Sequence, residues 1–195
     1  MDADTSKTVT VDTRNPTVES VTPTSLADAN AGSVTVTVEF SEEMDPATNG
    51  SPTITGLASG YTITGSSWST TDFTNDTWQG TFTFIDEGEE ATGTYSIGGF
   101  NDSVGNAMST DTSNTVAVDT LNPTVTGVTP TALDDSDAGS VTVRITFSET
   151  MDTGTNPSPT ITGLASGYTI TGTVWDNNGG TDTGTLLLPS YSLGP

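Results

Sequence analysis

Apolar and polar residues alternate with a period of two along Ser33-Val34-Thr35-Val36-Thr37-Val38-Glu39-Phe40. The same alternation returns along Val141-Thr142-Val143-Arg144-Ile145-Thr146-Phe147. That period sets successive side chains on opposite faces and predicts half-buried strands. Shorter runs at 17–21, 53–55, 61–68, 78–85, 93–97 and 112–118 predict the other strands of the first half. Pro23, Gly32, Pro46, Gly50, Pro52, Gly60, Gly88, Gly98 and Gly99 punctuate them, as turns require. No stretch sustains the 3.6-residue period of a helix. Threonine, β-branched and polar, suits the solvent side of a strand. Trp68, Trp78, Phe82, Phe84 and Tyr95 are the expected core aromatics, with Trp175 the counterpart of Trp68.

The chain also repeats itself. Val11-Asp12-Thr13-Arg14-Asn15-Pro16-Thr17-Val18 returns as Val118-Asp119-Thr120-Leu121-Asn122-Pro123-Thr124-Val125. The offset of 107 residues holds without a gap through Trp68 and Trp175, with 42 of 58 positions identical. A period near 100 residues is too long for a solenoid and fits a whole sandwich domain. About seven strands per 100 residues, with turns every 8–12 residues, predict tandem immunoglobulin-like β-sandwiches of Greek-key type, all-β. The second copy runs Thr183–Leu188, passes to Tyr191-Ser192-Leu193-Gly194 and stops at Pro195. Met1–Thr13 aligns with Met108–Thr120 at the same offset. The expected organisation is therefore 1–13 as the last strand of a preceding repeat or a linker, 14–120 as a first domain, and 121–195 as a truncated second domain lacking its last strand.

Three phrases carry a family resemblance. They are Phe40-Ser41-Glu42-Glu43-Met44-Asp45-Pro46, Asn101-Asp102-Ser103-Val104-Gly105-Asn106, and the Val-Asp-Thr-x-Asn-Pro-Thr linkers. Together they resemble the tandem bacterial Ig-like domains of large surface proteins and adhesins. The second copy departs from the pattern, with Thr153 in place of Pro46 and no Asp-x-x-Gly-Asn loop. The resemblance implies a module in an exported protein, extracellular or at the cell surface. It implies neighbouring Ig-like repeats as partners, and no single ligand.

Composition narrows the chemistry. There are 25 Asp+Glu against 3 Lys+Arg, no His and no Cys, for a formal net charge of −22. Three cations cannot neutralise a phosphate backbone, so nucleic acid is excluded as a partner. Attachment to an anionic membrane is disfavoured for the same reason. No apolar run approaches the length of a membrane-spanning helix, so no membrane insertion is expected. Without His or Cys there is no Ser-His-Asp or Cys-His catalysis, no disulfide frame and no structural zinc. Met1-Asp2-Ala3-Asp4 lacks a basic region and an apolar region, so it does not read as a signal peptide, and export points to a longer chain. No catalytic residue is assigned.

The acids sort onto loops. In a seven-stranded sandwich, alternate loops lie at opposite poles. The junction between the two repeats is expected to gather Asp28, Asn30, Asp86, Glu87, Glu89, Glu90, Asp119, Asn122, Glu149 and Asp152. The N-terminal pole of the first domain is expected to gather Asp12, Asn15, Glu42, Asp45, Asp102 and Asn106. Converging carboxylates repel by about 1 kcal/mol or more per close pair near a surface, unless a cation intervenes. Ca²⁺ takes 6–8 oxygen ligands with loose geometry, so it is the cofactor these loops point to. The bland alternative is a solvated acidic coat. The function read from the sequence is a non-enzymatic extracellular spacer module of a surface adhesin, rigidified by Ca²⁺ at its linkers. Cell-surface or glycan ligands would be met by other parts of the parent protein. The alternatives are a filament subunit joined to other copies of itself by strand exchange, and a glycan-binding accessory module.

Overall fold

The computed structural model describes residues 9, 11–134, 137, 139–154, 157–162, 168–176 and 185–188. Most of the expected strand at 1–13, and all of 189–195, lie outside them. Val9 and residues 11–13 are in no strand. The chain divides into two compact units, Met1–Leu121 and Asn122–Pro195.

The first unit is a β-sandwich of two sheets. Its strands are β1 (Val18–Thr22), β2 (Ser25–Ala27), β3 (Gly32–Phe40), β4 (Thr53–Thr55), β5 (Tyr61–Thr62), β6 (Thr64–Ser69), β7 (Thr77–Phe84), β8 (Glu90–Ser96) and β9 (Thr115–Asp119). One sheet has the order β1-β3-β7-β6 and the other β2-β9-β8-β4-β5. There are more strands than the seven expected because one predicted run, 61–68, is divided and one strand, β2, falls outside every predicted run. Pro23, which cannot donate to a ladder, separates β1 from β2, and these join different sheets. The run 61–68 breaks at Ile63, whose N–H leaves the ladder and donates to the Pro52 carbonyl at 2.9 Å.

The period-two pattern becomes the core. Val34, Val36, Val38 and Phe40 of β3 and Trp78, Phe82 and Phe84 of β7 point inward. They meet Ile54, Tyr61, Tyr95, Val116 and Val118 of the facing sheet. Fully burying one such side chain contributes about 1.5–3 kcal/mol. Trp68 is half-buried against this cluster. Phe100 sits at the centre of the aromatics, 5.1 Å from Phe40, 5.8 Å from Trp68 and 5.5 Å from Trp78 between ring centroids. The last two contacts are edge-to-face, the arrangement the ring quadrupoles favour. Phe100 immediately precedes the Asn101–Asn106 loop, so core packing holds that loop in place.

The second unit repeats half of this plan. β10 (Val125–Thr129), β11 (Val143–Phe147), β14 (Val174–Asp176) and β15 (Thr185–Leu188) form a sheet of order β10-β11-β15-β14. Val125 pairs with Phe147 as Val18 pairs with Phe40, and the bulge between Val18 and Ser20 returns between Val125 and Gly127. β12 (Thr160–Ile161) pairs with β13 (Tyr168–Thr169) in the register of β4 with β5. Among the described residues, β8 and β9 have no counterpart in this unit, and Ala132–Asp134, aligned with β2, form no strand. The stretch Tyr191-Ser192-Leu193-Gly194 lies outside the described residues. A parallel pair such as β2 with β9 exists only when both members are present. Among the described residues, the second core holds Val143 and Ile170, with Ile145, Phe147, Ile161 and Trp175 packed on them.

Candidate functional site

Two loops of the first unit are laced together at one pole. The Asp45 N–H donates to the Asn101 carbonyl and the Ser103 N–H to the Glu43 carbonyl, each at 3.0 Å. Met44, fully buried, forms a bridge with Asp102. Burial of Met44 and Phe100 thus brings the Phe-Ser-Glu-x-Met-Asp loop beside the Asn-Asp-x-x-Gly-Asn loop. The entering chain is fixed alongside: Thr17 donates to Ser41 Oγ and Ser41 N–H returns a bond to the Thr17 carbonyl, each at 3.0 Å. Pro16 is buried.

Asp12, Glu42 and Asp102 converge as a result. One carboxylate oxygen from each lies within 4.8 Å of the other two, the one such group among the described residues. Asp102 is buried and its carboxylate is well supplied with donors. Oδ1 accepts from the N–H of Val104 at 3.0 Å and of Asn106 at 2.7 Å, and Oδ2 accepts from Asn106 Nδ2 at 2.7 Å. Burial pushes the Asp102 carboxyl up, but these bonds outweigh it and hold it below its ordinary value. Glu42 moves the other way. Burial raises its carboxyl, and the negative charges of Asp12 and Asp102 raise it further. Arg14 pulls in the opposite direction. Three acids this close favour either a shared proton or a cation with oxygen ligands.

The other expected members of this pole are placed differently. Asn106 belongs to the cluster, since its amide also donates to the Asp12 carbonyl at 3.4 Å. Asp45 is spent on its own turn, accepting from the Ala47 N–H at 2.9 Å. Asn15 lines a separate shallow cleft with Val18 and Asp111. Arg14 carries a role that counting cations did not reveal. Its place in the Val-Asp-Thr-Arg phrase, two residues after Asp12, was the available signal.

The residues expected at the junction are divided between the two units, and each unit's members are described by themselves. In the first unit, Ala27 and Glu90 flank Asp119 across the ladders, which sets Asp28 nearby in the chain. Glu87 accepts from Ser59 Oγ at 2.8 Å, and Glu89 Oε2 accepts from the Ala58 N–H at 2.9 Å. Asp86 accepts from Gly88 and Asn30 from Ala27, both closing local turns. Asn122, Glu149 and Asp152 belong to the second unit, where Asp152 accepts from the Gly154 N–H at 2.8 Å. Of the acidic run 134–137, Asp134 and Asp137 close a turn, and positions 135 and 136 lie outside the described residues.

A polar groove crosses the first sheet, lined by Thr35, Thr64, Gly65, Ser67, Gln79, Gly80 and Thr81. None of these offers an aromatic ring on which a sugar could stack. Phe73, the exposed aromatic among the described residues, lies between β6 and β7 rather than on a sheet face.

The N-terminal part of the bacterial S-layer protein SbsC is 20% identical over 90% of this chain and 44% of its own, with a TM-score of 0.37. The chain thus spans less than half of that structure, and a likeness at this level carries no argument about function. No curated protein matches the chain. A family model described as bacterial Ig-like domain matches residues 12–116, a span that contains the sandwich as far as the start of β9 and all three converging carboxylates. The chain is a member of the bacterial Ig-like domain family.

Proposed function

We propose that the chain is a non-enzymatic structural module of an extracellular bacterial surface protein, and that Ca²⁺ stiffens its entry pole. The convergence of Asp12, Glu42 and Asp102 carries this reading. Asp12 lies on the linker, Glu42 follows β3, and Asp102 lies between β8 and β9. A cation held by all three would tie the entering chain to both loops. The donor set is carboxylate oxygen, which suits Ca²⁺, whereas Mg²⁺ demands a tighter octahedron and releases water reluctantly. Membership of the bacterial Ig-like family supports a surface setting and a spacer role. The adhesin setting rests on the phrases in the linkers and loops.

Calorimetric titration of Ca²⁺ into the 195-residue protein tests the metal reading. Saturable binding that Glu42→Gln weakens at least tenfold supports it. Heats no larger than dilution, in protein stripped of metal, refute it.

A further inference from the structure

Asn49 and Gly50 are adjacent in the irregular stretch between β3 and β4. Asn49 is exposed, and among the described residues no hydrogen bond holds its carboxamide or the Gly50 N–H. The turn just before them is engaged: the N–H and Oγ1 of Thr48 both donate to the Asp45 carbonyl, at 3.0 and 2.9 Å. Asparagine is a thermolabile residue. Its weakness is greatest before glycine, which has no Cβ to crowd its own nitrogen. A free carboxamide beside a free glycine N–H is what the reaction requires.

Gly50 is also a packing point. A Cβ at Gly50 would run into the Phe100 ring and the Gly98 carbonyl. A Cβ at Gly99 would lie 3.4 Å from Gly50 Cα. Two residues before Gly50, Thr48 Oγ1 accepts from the Asn101 N–H at 3.2 Å. The stretch 48–50 is therefore laid against 98–101, which carries the fully buried Phe100 into the core and opens the Asn101–Asn106 loop.

We propose that Asn49 is a spontaneous modification site, and that its conversion to isoaspartate loosens the Phe100 anchor. The Gly50 nitrogen loses its proton to solvent and attacks Asn49 Cγ. A C–N bond forms, the carboxamide C–N bond breaks, and ammonia leaves with a proton returned by solvent. Water then opens the resulting succinimide at either carbonyl. One opening gives aspartate. The other gives isoaspartate, whose main chain runs through Cβ and Cγ and gains one methylene between residues 49 and 50. No oxidant, reductant or enzyme takes part. Both products add a negative charge, but isoaspartate alone lengthens the chain where Gly50 has no room against Phe100. Overpacking of this kind displaces its neighbours. The second repeat carries Asn156-Pro157 at the matching positions. Proline has no N–H to lose, so this attack is closed to it. The inference does not depend on Ca²⁺.

The test incubates the 195-residue protein in mildly alkaline buffer, digests it with pepsin in acid and maps the peptides by mass spectrometry, with fragmentation that separates aspartate from isoaspartate. The peptide holding Asn49 is expected to gain the mass of an Asn-to-Asp change with time, while the protein stays folded by circular dichroism. The peptide holding Asn156 and the Asn49→Gln variant are expected to gain none at these positions. The isoaspartate form, separated by chromatography, is expected to melt several degrees below the unmodified protein. Its tryptophan emission is expected to shift, because Phe100 packs edge-on to Trp68 and Trp78. Asn49→Asp carries the charge without the methylene and is expected to melt with the native sequence. Conversion of Asn49 in urea but not in the folded protein overturns the site. An isoaspartate form that melts with the native sequence, or an Asn49→Asp variant that melts as low as the isoaspartate form, overturns the loosening of Phe100.

Discussion

Asn106 donates its side-chain amide to Oδ2 of Asp102 at 2.7 Å, and its backbone N–H donates to Oδ1 at the same distance. One residue thus holds both oxygens of a buried carboxylate. Asn106→Ala removes the side-chain bond and leaves the backbone one. We predict that the Asp102 pKa rises towards its ordinary 3.8, read by carboxyl NMR titration, with a stability loss of about 1–2 kcal/mol in urea. An unmoved Asp102 titration would show that the amide does not set its charge.

Glu42 has the opposite behaviour. Its folded pKa lies above the ordinary 4.5, so the ionised form is disfavoured in the fold. That cost is present at pH 7 and disappears as pH falls through the folded pKa. Glu42→Gln in chelator should therefore raise the melting temperature of the first unit by a few degrees at pH 7. The gain should shrink as the pH is lowered towards 4.5. A variant that melts lower than the native sequence in chelator at pH 7 contradicts the reading of this cluster as repulsive.

Asp76 is a buried acid with a structural role. Its oxygens accept from the N–H groups of Thr71, Asp72 and Phe73 at 2.7–2.8 Å and from Thr77 Oγ1 at 3.0 Å. Burial raises its carboxyl, but these bonds outweigh it and lower the pKa from 3.8. Its stabilisation is present above pH 3.8 and is lost as pH falls through the folded value. Asp76→Ala leaves several loop donors without an acceptor, and should cost about 2–3 kcal/mol at pH 7 by urea denaturation. The cost should shrink as pH is lowered below 3.8.

Gly80 lies on β7 with no room for a side chain. A Cβ there would meet the Trp78 ring and, at 2.9 Å, Ile63 Cγ2. Gly80→Ala should destabilise the first unit by about 1–3 kcal/mol, through displacement of a fully buried tryptophan. Trp78→Leu combined with Gly80→Ala should cost less than the sum of the two single changes, because the smaller residue removes the ring that the methyl meets. Independent, additive effects of the two changes would refute this account.

The sandwich was legible because its strands are regular. The alternation along Ser33–Phe40 became β3 with its valines inward, and the repeat of Val18 at Val125 became the same bulged pairing. The cluster was legible only as a wider set. Loop order brought Asp12, Glu42, Asp102 and Asn106 to one pole. It did not reveal that Asp45 would close its own turn or that Asn15 would face a different cleft. Those outcomes depend on φ/ψ choices within loops, where no period constrains side-chain direction. Arg14 was overlooked because its influence on Glu42 depends on how the linker folds back, which no local pattern encodes. Asp76 was hidden in a polar stretch, because its significance lies in three neighbouring N–H groups rather than in its own neighbours' identities.

The central claim is that a cation joins the linker to the two laced loops, and thermal melting tests it most directly. The 195-residue protein is melted in Ca²⁺ and again in chelator, followed by circular dichroism, with Glu42→Gln in parallel. Ca²⁺ at 100 times its Kd stabilises by about 2.7 kcal/mol, several degrees for a unit of this size. The account predicts that shift in the native sequence and its loss or marked reduction in Glu42→Gln. The same melting temperature with and without Ca²⁺ would contradict it.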